Sequence, residues 1–228
     1  LSRGLGDVYK RQAYDTTAAQ CAVVLKKDND TLGSYVQYMD FGQAEVLIPQ
    51  IEKLLQEGKL SFSDLDLVVV CVGPGSFTGV RAGIAAARAF SIAAPNLCVA
   101  GISAFEAYAR TLEEEERAEL NCVVIETKRD DFYYQIFDAR LNKITPPQAG
   151  NYEDILPQLR HRKVSLVGDG VERFLSRPSG LSLHVIKMLE ALPVEQLAAC
   201  GIKHFFDKDA DFPKPLYLRA PDVSAPKA

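Results

Sequence analysis

The stretch that most constrains the fold is LDLVVVCVGPGSFTGVRAGIAAARAF, residues 65–90. It starts with a continuous apolar run, which is typical of a strand buried on both faces of a sheet. The glycines after it permit positive φ and close approach of other backbone. An alanine-rich helix then runs to about Ala93. This strand–loop–helix sequence predicts an α/β fold.

Other periodic segments extend the α/β pattern along the chain. Apolar residues recur at helical spacing from Gln43 to Gln56, and alternating or continuous apolar runs predict strands in both halves. The predicted order is three strands, a helix, a strand and a helix, followed by a shortened copy of the same order. This repetition predicts two lobes joined near Gly101–Ser103. We therefore divide the chain into an N-terminal lobe, residues 13–103, and a reduced C-terminal lobe, residues 104–228.

Composition excludes several classes of protein. The 228 residues are 47% hydrophobic and carry a net charge of -4, so the surface as a whole is unsuited to binding nucleic acid unaided. Five cysteines without close pairing favour reduced thiols and a cytoplasmic location. The longest apolar run is far shorter than a membrane span, so we expect no membrane contact.

The first twelve residues, LSRGLGDVYKRQ, do not lead smoothly into the rest of the chain. They lack the apolar stretch of a signal peptide and look like the adapter-derived peptides translated at the start of metagenomic fragments. We expect Leu1–Gln12 to be a non-native, peripheral leader that replaces the true start. Its last residues alternate in a way that would suit an edge or first strand.

The triplet Asp15-Thr16-Thr17 follows the first short strand. A carboxylate and two hydroxyls at a turn can hold a metal-bound phosphate. The same three residues also form Asx-type turns that stabilise only the backbone. The triplet alone favours the turn, and phosphate binding stays open.

The glycine-rich loop is a second candidate for phosphate binding. Gly73, Gly75 and Ser76 precede a helix N-terminus, where free N–H groups and the helix dipole favour anions. The loop is not a Walker A motif, because its first basic residue, Arg81, already lies inside the helix. The loop either binds phosphate or shapes a surface for another protein.

The helix after this loop has small residues around most of its circumference. Small residues let another helix approach closely. A helix that only lies close on its own sheet needs one such face, so we expect a second face to be free for a partner. The small residues are Ala82, Gly83, Ala85, Ala86, Ala87 and Ala89.

Motifs of several enzyme classes are missing from the sequence. His161, His184 and His204 are isolated, with neither HExxH nor HxxxH spacing, and no GxSxG elbow occurs. A metal hydrolase, a peptidase and a covalent-nucleophile enzyme are therefore disfavoured. The charged run Glu126–Asp131 contains groups that could bind a ligand but is typical of a solvated turn.

A set of ordered motifs resembles the bacterial TsaB (YeaZ) family. The motifs are DTT, QAEVLIPQIEKLL, VVVCVGPGSFTGVRAGIAAARAF, IETKRDDFYYQIF, LVGDG and PLYLR, and they cover residues 13 to about 219. The resemblance implies a two-lobed fold of the actin, sugar-kinase and Hsp70 type (ASKHA), with ribonuclease H-like lobes and a reduced second lobe.

The resemblance also implies a function. TsaB proteins are non-catalytic relatives of TsaD and lack its HxxxH metal pair, although older names call them glycoproteases of the M22 family. With a TsaD-like catalytic subunit and a TsaE-like ATPase, they support threonylcarbamoyl transfer to N6 of adenosine 37 in tRNAs that read ANN codons. The resemblance implies contact with tRNA only through this complex, and a homodimer when the protein is alone.

Site residues carry over by position. The DTT triplet stands at the first phosphate loop of the fold, and with Gly73, Gly75 and Ser76 it forms the candidate cofactor site. No cofactor is expected to be required, and ATP or ADP would be shared at the partner interface. Two helices from each partner would form that interface. Its candidate residues are Leu47, Ile51, Gly79, Arg81, Ala82, Ala86 and Ala89.

The sequence departs from the family pattern at three positions. Gln43 stands where a histidine is usual, Glu126 replaces an aspartate, and Lys128 replaces an arginine. The change at Gln43 leaves open any polar contact that the histidine makes. The other two changes conserve charge.

A second hypothesis is an ATP-binding phosphotransferase or ATPase of the same fold type. Such an enzyme needs a second phosphate loop and a catalytic carboxylate. VGDGVE, Val167–Glu172, is the candidate for that loop. Turnover of ATP by the purified protein would distinguish this hypothesis from a non-catalytic partner.

Overall fold

The computed structural model describes residues 10–205 and 212–219. In this part of the chain, the first of two five-stranded sheets has the order β3-β2-β1-β4-β5. Its first three strands pair antiparallel, and β1, β4 and β5 run parallel. The strands are Lys10–Asp15 (β1), Gln20–Lys27 (β2), Asp30–Tyr38 (β3), Leu67–Cys71 (β4) and Cys98–Ile102 (β5).

The second sheet repeats this topology, with the order β8-β7-β6-β9-β10. Again the first three strands are antiparallel and the last two run parallel to β6. Two ribonuclease H-like sheets in one chain confirm the predicted two-lobed actin, sugar-kinase and Hsp70 type of fold. The strands are Leu120–Glu126 (β6), Phe132–Phe137 (β7), Gln148–Gly150 (β8), Lys163–Gly168 (β9) and Ser182–Met188 (β10).

Six α-helices within the described residues complete the lobes. They are Gln43–Glu57 (α1), Phe77–Ala93 (α2), Ala104–Ala109 (α3), Tyr152–Leu159 (α4), Val171–Leu175 (α5) and Val194–Phe205 (α6). The structure confirms the predicted helix that begins at Gln43, which is α1, and the predicted helix that runs to about Ala93, which is α2. The second lobe is reduced, because α5 has 5 residues where α2 has 17. None of the helices in residues 10–205 and 212–219 has the length and apolar composition needed to cross a membrane.

Three apolar clusters hold these layers together. One joins the first sheet to α1 and α2, and another joins the second sheet to α4 and α5. The third lies between the lobes, where α3 and α6 contribute side chains alongside both sheets. Although α6 comes late in the chain, it packs against β1, β4 and β5 of the first sheet. Helix α6 thus lies within residues 104–228 of the sequence but packs on the sheet of the first lobe.

The end of the expected leader forms part of the first strand, as its alternating residues suggested, but that strand is central in the sheet and not peripheral. Residues 1–9 lie outside the described residues, but Lys10, Arg11 and Gln12 belong to β1, which lies between β2 and β4. The side chains of Arg11 and Gln12 are buried there. Residues 10–12 can occupy a central position because strands pair through backbone N–H and C=O groups, which every residue except proline provides.

Candidate functional site

The DTT turn uses its polar groups within the fold. One carboxylate oxygen of Asp15 accepts the backbone N–H of Thr17 at 2.9 Å and the Thr17 hydroxyl at 2.7 Å. The other accepts the side-chain amide of Gln20 at 2.9 Å. The Thr16 hydroxyl donates to the carbonyl of Gly79 at 2.8 Å. The turn has the Asx geometry that the triplet favours from sequence.

The glycine-rich loop packs directly on this turn. The backbone N–H of Ser76 donates to the Thr17 carbonyl at 2.7 Å, and that of Gly79 donates to the Ser76 hydroxyl at 3.3 Å. A Cβ at Gly75 would lie 2.2 Å from the Thr17 carbonyl oxygen, and one at Gly79 would lie 1.8 Å from that of Thr16. The glycines therefore bring the start of α2 against the DTT turn.

The first glycine of the loop has a positive φ, which glycine permits. Gly73 has a φ of 102°, and its carbonyl accepts the backbone N–H of Ala104 at 2.8 Å. Because Ala104 begins α3, this bond ties the loop to the connection between the lobes.

A cleft of about 590 Å³ lies between the lobes. The first lobe lines it with the DTT turn, the glycine-rich loop and Asp40. The second lobe lines it with the turn between β6 and β7 and with Asp169, and residues 216–219 complete its wall. The side chain of Tyr108, on α3, also reaches the cleft.

A salt bridge organises the second-lobe side of the cleft. The Glu126 carboxylate accepts two hydrogen bonds from the Arg173 guanidinium, at 2.7 and 2.8 Å, and one from the backbone N–H of Lys128 at 2.6 Å. Burial alone would raise the pKa of Glu126, but these hydrogen bonds outweigh it and lower the pKa. The predicted charged run is thus an ordered turn.

Two ion pairs connect the walls of the cleft. The Lys128 ammonium lies 3.0 Å from a carboxylate oxygen of Asp40 in the first lobe. Arg219 forms an ion pair with Asp131, which attaches the last described residues to the second lobe. The Lys128 pair is exposed, so it contributes little to stability.

Helix α2 presents a face of small residues outside the cleft. Ala85 and Ala89 are exposed, and Ala82 and Ala86 are partly exposed. One turn of helix separates Ala82, Ala85/Ala86 and Ala89, so their side chains form a continuous stripe. We call these four residues the alanine face.

An aromatic and basic cluster borders the alanine face. The Arg81 guanidinium lies 3.5 Å from the centre of the Phe77 ring, and its Nε donates to the Tyr217 hydroxyl at 3.0 Å. All three side chains are exposed. This cluster connects the start of α2 to the segment at residues 212–219.

Comparison with known proteins now identifies the family. The model of the family described as "TsaD: tRNA N6-adenosine threonylcarbamoyltransferase" matches residues 43–222. The chain belongs to this family. Within it, the chain is a TsaB (YeaZ) member.

Individual relatives agree with this assignment. The Escherichia coli tRNA threonylcarbamoyladenosine biosynthesis protein TsaB is 25% identical over 91% of this chain and 93% of its own length. The Bacillus subtilis protein of the same name is 26% identical over 66% of either chain. The solved structure of YeaZ from Pseudomonas aeruginosa has a TM-score of 0.78 at 21% identity, covering 92% of this chain and all of the other, and shows the shared fold.

The structure corrects part of the interface that the TsaB (YeaZ) resemblance implied. Leu47 and Ile51 are buried in the core beneath α1, and Gly79 is buried against the DTT turn. These three residues cannot present side chains to a partner. Arg81 and the alanine face remain accessible.

Two polar residues of the cleft were not identified as a pair from the TsaB (YeaZ) motifs. Asp169 lies within the candidate phosphate loop Val167–Glu172, and none of the motifs contains Tyr108. No periodicity or motif brings them together, because they meet through the packing of α3 between the sheets. The position usually held by histidine has Gln43, whose side-chain amide donates to the carbonyl of Met39 at 3.1 Å.

Proposed function

We propose that this protein is a non-catalytic partner subunit in the biosynthesis of tRNA threonylcarbamoyladenosine. In this proposal it binds a TsaD-like catalytic subunit and works with a TsaE-like ATPase. It contacts tRNA only as part of the complex, and it forms a homodimer when the partner is absent. Membership of the TsaD family and the names of the TsaB relatives support this pathway.

The observation that carries the proposal is the alanine face on α2. Its small side chains leave the helix backbone open to close approach by helices of a partner. Helix α1 packs beside α2 and adds exposed Ile48, which extends the accessible apolar surface. An interface of this kind derives its energy from apolar packing, so added bulk is more damaging than loss of a charge.

The DTT turn argues against independent ATP chemistry. The nucleotide that this fold type implies does not fit here, because Asp15 and both threonine hydroxyls are engaged in hydrogen bonds inside the protein. The N–H groups of Ser76 and Gly79 are engaged as well. Robust ATP turnover by the purified protein, abolished in Asp15→Ala, would instead favour the phosphotransferase hypothesis.

Arginine substitutions on the alanine face test the proposal. Ala85→Arg and Ala89→Arg place a long charged side chain on exposed positions, so the monomer should stay folded. We expect each change to weaken binding to the TsaD-like subunit on the order of tenfold or more. Binding is measured by co-expression and size-exclusion chromatography, followed by calorimetric titration.

Ala139→Arg is the matched control, because Ala139 is an exposed alanine of the second lobe. It should bind the partner as the unmodified protein does. Wild-type binding by both α2 variants would place the interface elsewhere. Equal melting temperatures of all variants would establish that a lost complex reflects the interface and not misfolding.

A further inference from the structure

A buried hydroxyl and a partly buried carboxylate in the cleft have no role in the proposed partner function. Asp169 lies in the turn between β9 and α5, and Tyr108 lies on α3. Both line the cleft of about 590 Å³. They face the cavity from the second lobe and from the connection between the lobes.

The Tyr108 hydroxyl is buried without compensation. The residue is 1% exposed, and among the described residues its hydroxyl makes no hydrogen bond of ordinary length and angle, although it lies close enough to the Asp169 carboxylate for the two groups to shift each other's pKa. Burial raises the pKa of Tyr108 well above its usual value, and the charges of Asp169 and Asp15 add to the shift. Because a buried hydroxyl without a partner is destabilising, its presence at a cavity points to a ligand.

Within residues 10–205 and 212–219, Asp169 forms no ion pair with a lysine or arginine. One of its carboxylate oxygens accepts the backbone N–H of Glu126 at 2.9 Å. Burial raises the pKa of Asp169 to about 6, and the charge of Glu126 acts in the same direction, while backbone N–H groups and Tyr108 oppose it. The nearby Arg173 guanidinium is already paired with Glu126.

The raised pKa of Asp169 determines how the contribution of this residue to folding stability changes with pH. The folded protein holds the Asp169 proton more tightly than the unfolded chain does, so this residue favours folding most at low pH. That contribution is lost as pH rises from about 4, the ordinary value of an aspartate, through about 6. At neutral pH Asp169 is a charged, destabilising group facing a cavity.

We propose that the cleft binds a small molecule through a cationic amine, held by the Asp169 carboxylate and the Tyr108 hydroxyl. An ammonium group has three donors and no acceptor, which suits a carboxylate that pairs with no cation of the described residues and a neighbouring phenol oxygen that accepts no hydrogen bond. A phosphate at the same place would be repelled by the carboxylate. The cleft has the size usual for small-molecule sites. This inference does not depend on the proposed partner role.

Calorimetric titration of the full chain at pH 7.5 tests the site. The probes are ethanolamine, 1,4-diaminobutane and 4-aminobutanoate, each compared with its neutral N-acetylated form. We expect at least one amine to bind with a dissociation constant below about 1 mM, and its acetylated form to bind at least about tenfold more weakly. Binding should weaken about tenfold at pH 5, where an Asp169 with a pKa of about 6 is mostly uncharged.

The three probes also distinguish what surrounds the amine. Preference for 4-aminobutanoate would show that basic groups at the mouth, such as Lys128, take part. Preference for either of the other two would assign recognition to the amine alone. Each of these results supports an amine site.

Two variants distinguish a ligand-binding role of Asp169 and Tyr108 from a purely structural role. Asp169→Asn keeps an oxygen that can accept the Glu126 N–H but removes the charge, so it should abolish amine binding while raising the melting temperature at pH 7.5. Tyr108→Phe should weaken binding at least about threefold, and at pH 5, where Asp169 is mostly uncharged, it should leave the melting temperature unchanged or higher. A residue with only a structural role would lose stability in both cases.

Glu190→Gln is the control, because Glu190 is an exposed acid that also lines the cleft. It should change amine affinity by less than about twofold. No binding of any amine at about 10 mM would overturn the proposal. Equal binding by an acetylated probe, or unchanged binding to Asp169→Asn, would overturn it as well.

Discussion

At the scale of single residues, Gln12 is the least favourable part of the first sheet. In β1 it pairs with Leu25 on one side and Val68 on the other, and both belong to the apolar cluster beneath α1 and α2. Both polar atoms of its side chain are buried without a hydrogen bond.

Gln12→Leu should therefore stabilise the protein. The substitution removes a buried amide without a partner and keeps a side chain of similar size. We expect the free energy of unfolding to rise by about 1–3 kcal/mol. Urea denaturation monitored by circular dichroism measures this change, provided that the slope with denaturant is the same in both proteins.

Gln135→Leu is the matched control for this prediction. Gln135 is equally buried in a strand, but only its side-chain oxygen lacks a hydrogen bond, because its side-chain N–H donates to the carbonyl of Thr145 at 2.9 Å. Its replacement should lower stability, because the Thr145 carbonyl loses that partner. A loss of stability in Gln12→Leu as well would mean that the Gln12 amide finds partners within the fold.

The sequence predicted the local chemistry of the site better than its tertiary contacts. The Asx turn at Asp15 follows from three adjacent residues, and the positive φ of Gly73 follows from its glycine. Tyr108 and Asp169 are about 60 positions apart in the sequence, and they come close only through the packing of α3 between the sheets. No local pattern contains that information.

At the scale of elements, strands and helices with strong periodicity were predictable, and α6 was not. Gly201 lies inside α6, and an interior glycine argues against a helix. In the structure, a Cβ at Gly201 would lie 2.3 Å from a methyl group of Val69. The glycine is there because the helix packs closely on β4, which only the tertiary structure reveals. Strand β8 has 3 residues, too few for an alternating pattern.

The contact between the glycine-rich loop and the DTT turn predicts a large effect of Gly79→Ala. The added Cβ would lie 1.8 Å from the backbone oxygen of Thr16, so the start of α2 must move. We expect the free energy of unfolding to fall by about 3 kcal/mol or more. Binding of the partner through the alanine face should weaken too, because α2 is displaced.

Gly180→Ala separates this clash from simple backbone strain. Gly180 has a φ of 60°, and a Cβ there would have no atom within 4 Å. Its replacement should lower the free energy of unfolding by only about 1–2 kcal/mol. Both variants are compared by chemical denaturation. Equal losses in the two would show that the DTT turn shifts freely and does not fix the position of α2.

At the scale of the whole molecule, the two lobes share one core. Helix α6 carries Leu197, which lies in the same apolar cluster as Val69 of the first sheet and Val123 of the second. The strand pattern in the sequence predicts two sheets, but it does not say which helices cover them. Helix α6 follows the second sheet in the chain but packs on the first sheet. A division of the sequence into consecutive segments cannot predict this arrangement.

This shared core predicts that the lobes unfold as one cooperative unit. Leu197→Ala, at a fully buried position of α6, should lower the free energy of unfolding by about 2–5 kcal/mol. Ile155→Ala, in the cluster on the outer side of the second sheet, should have a loss of the same size. Hydrogen exchange measures both through the slowest amides of β4 and β6. If the lobes unfold together, each variant lowers protection equally in both strands, even though Ile155 lies outside the first lobe's cores. Unchanged protection of β4 in Ile155→Ala would mean that the first lobe is stable without the second.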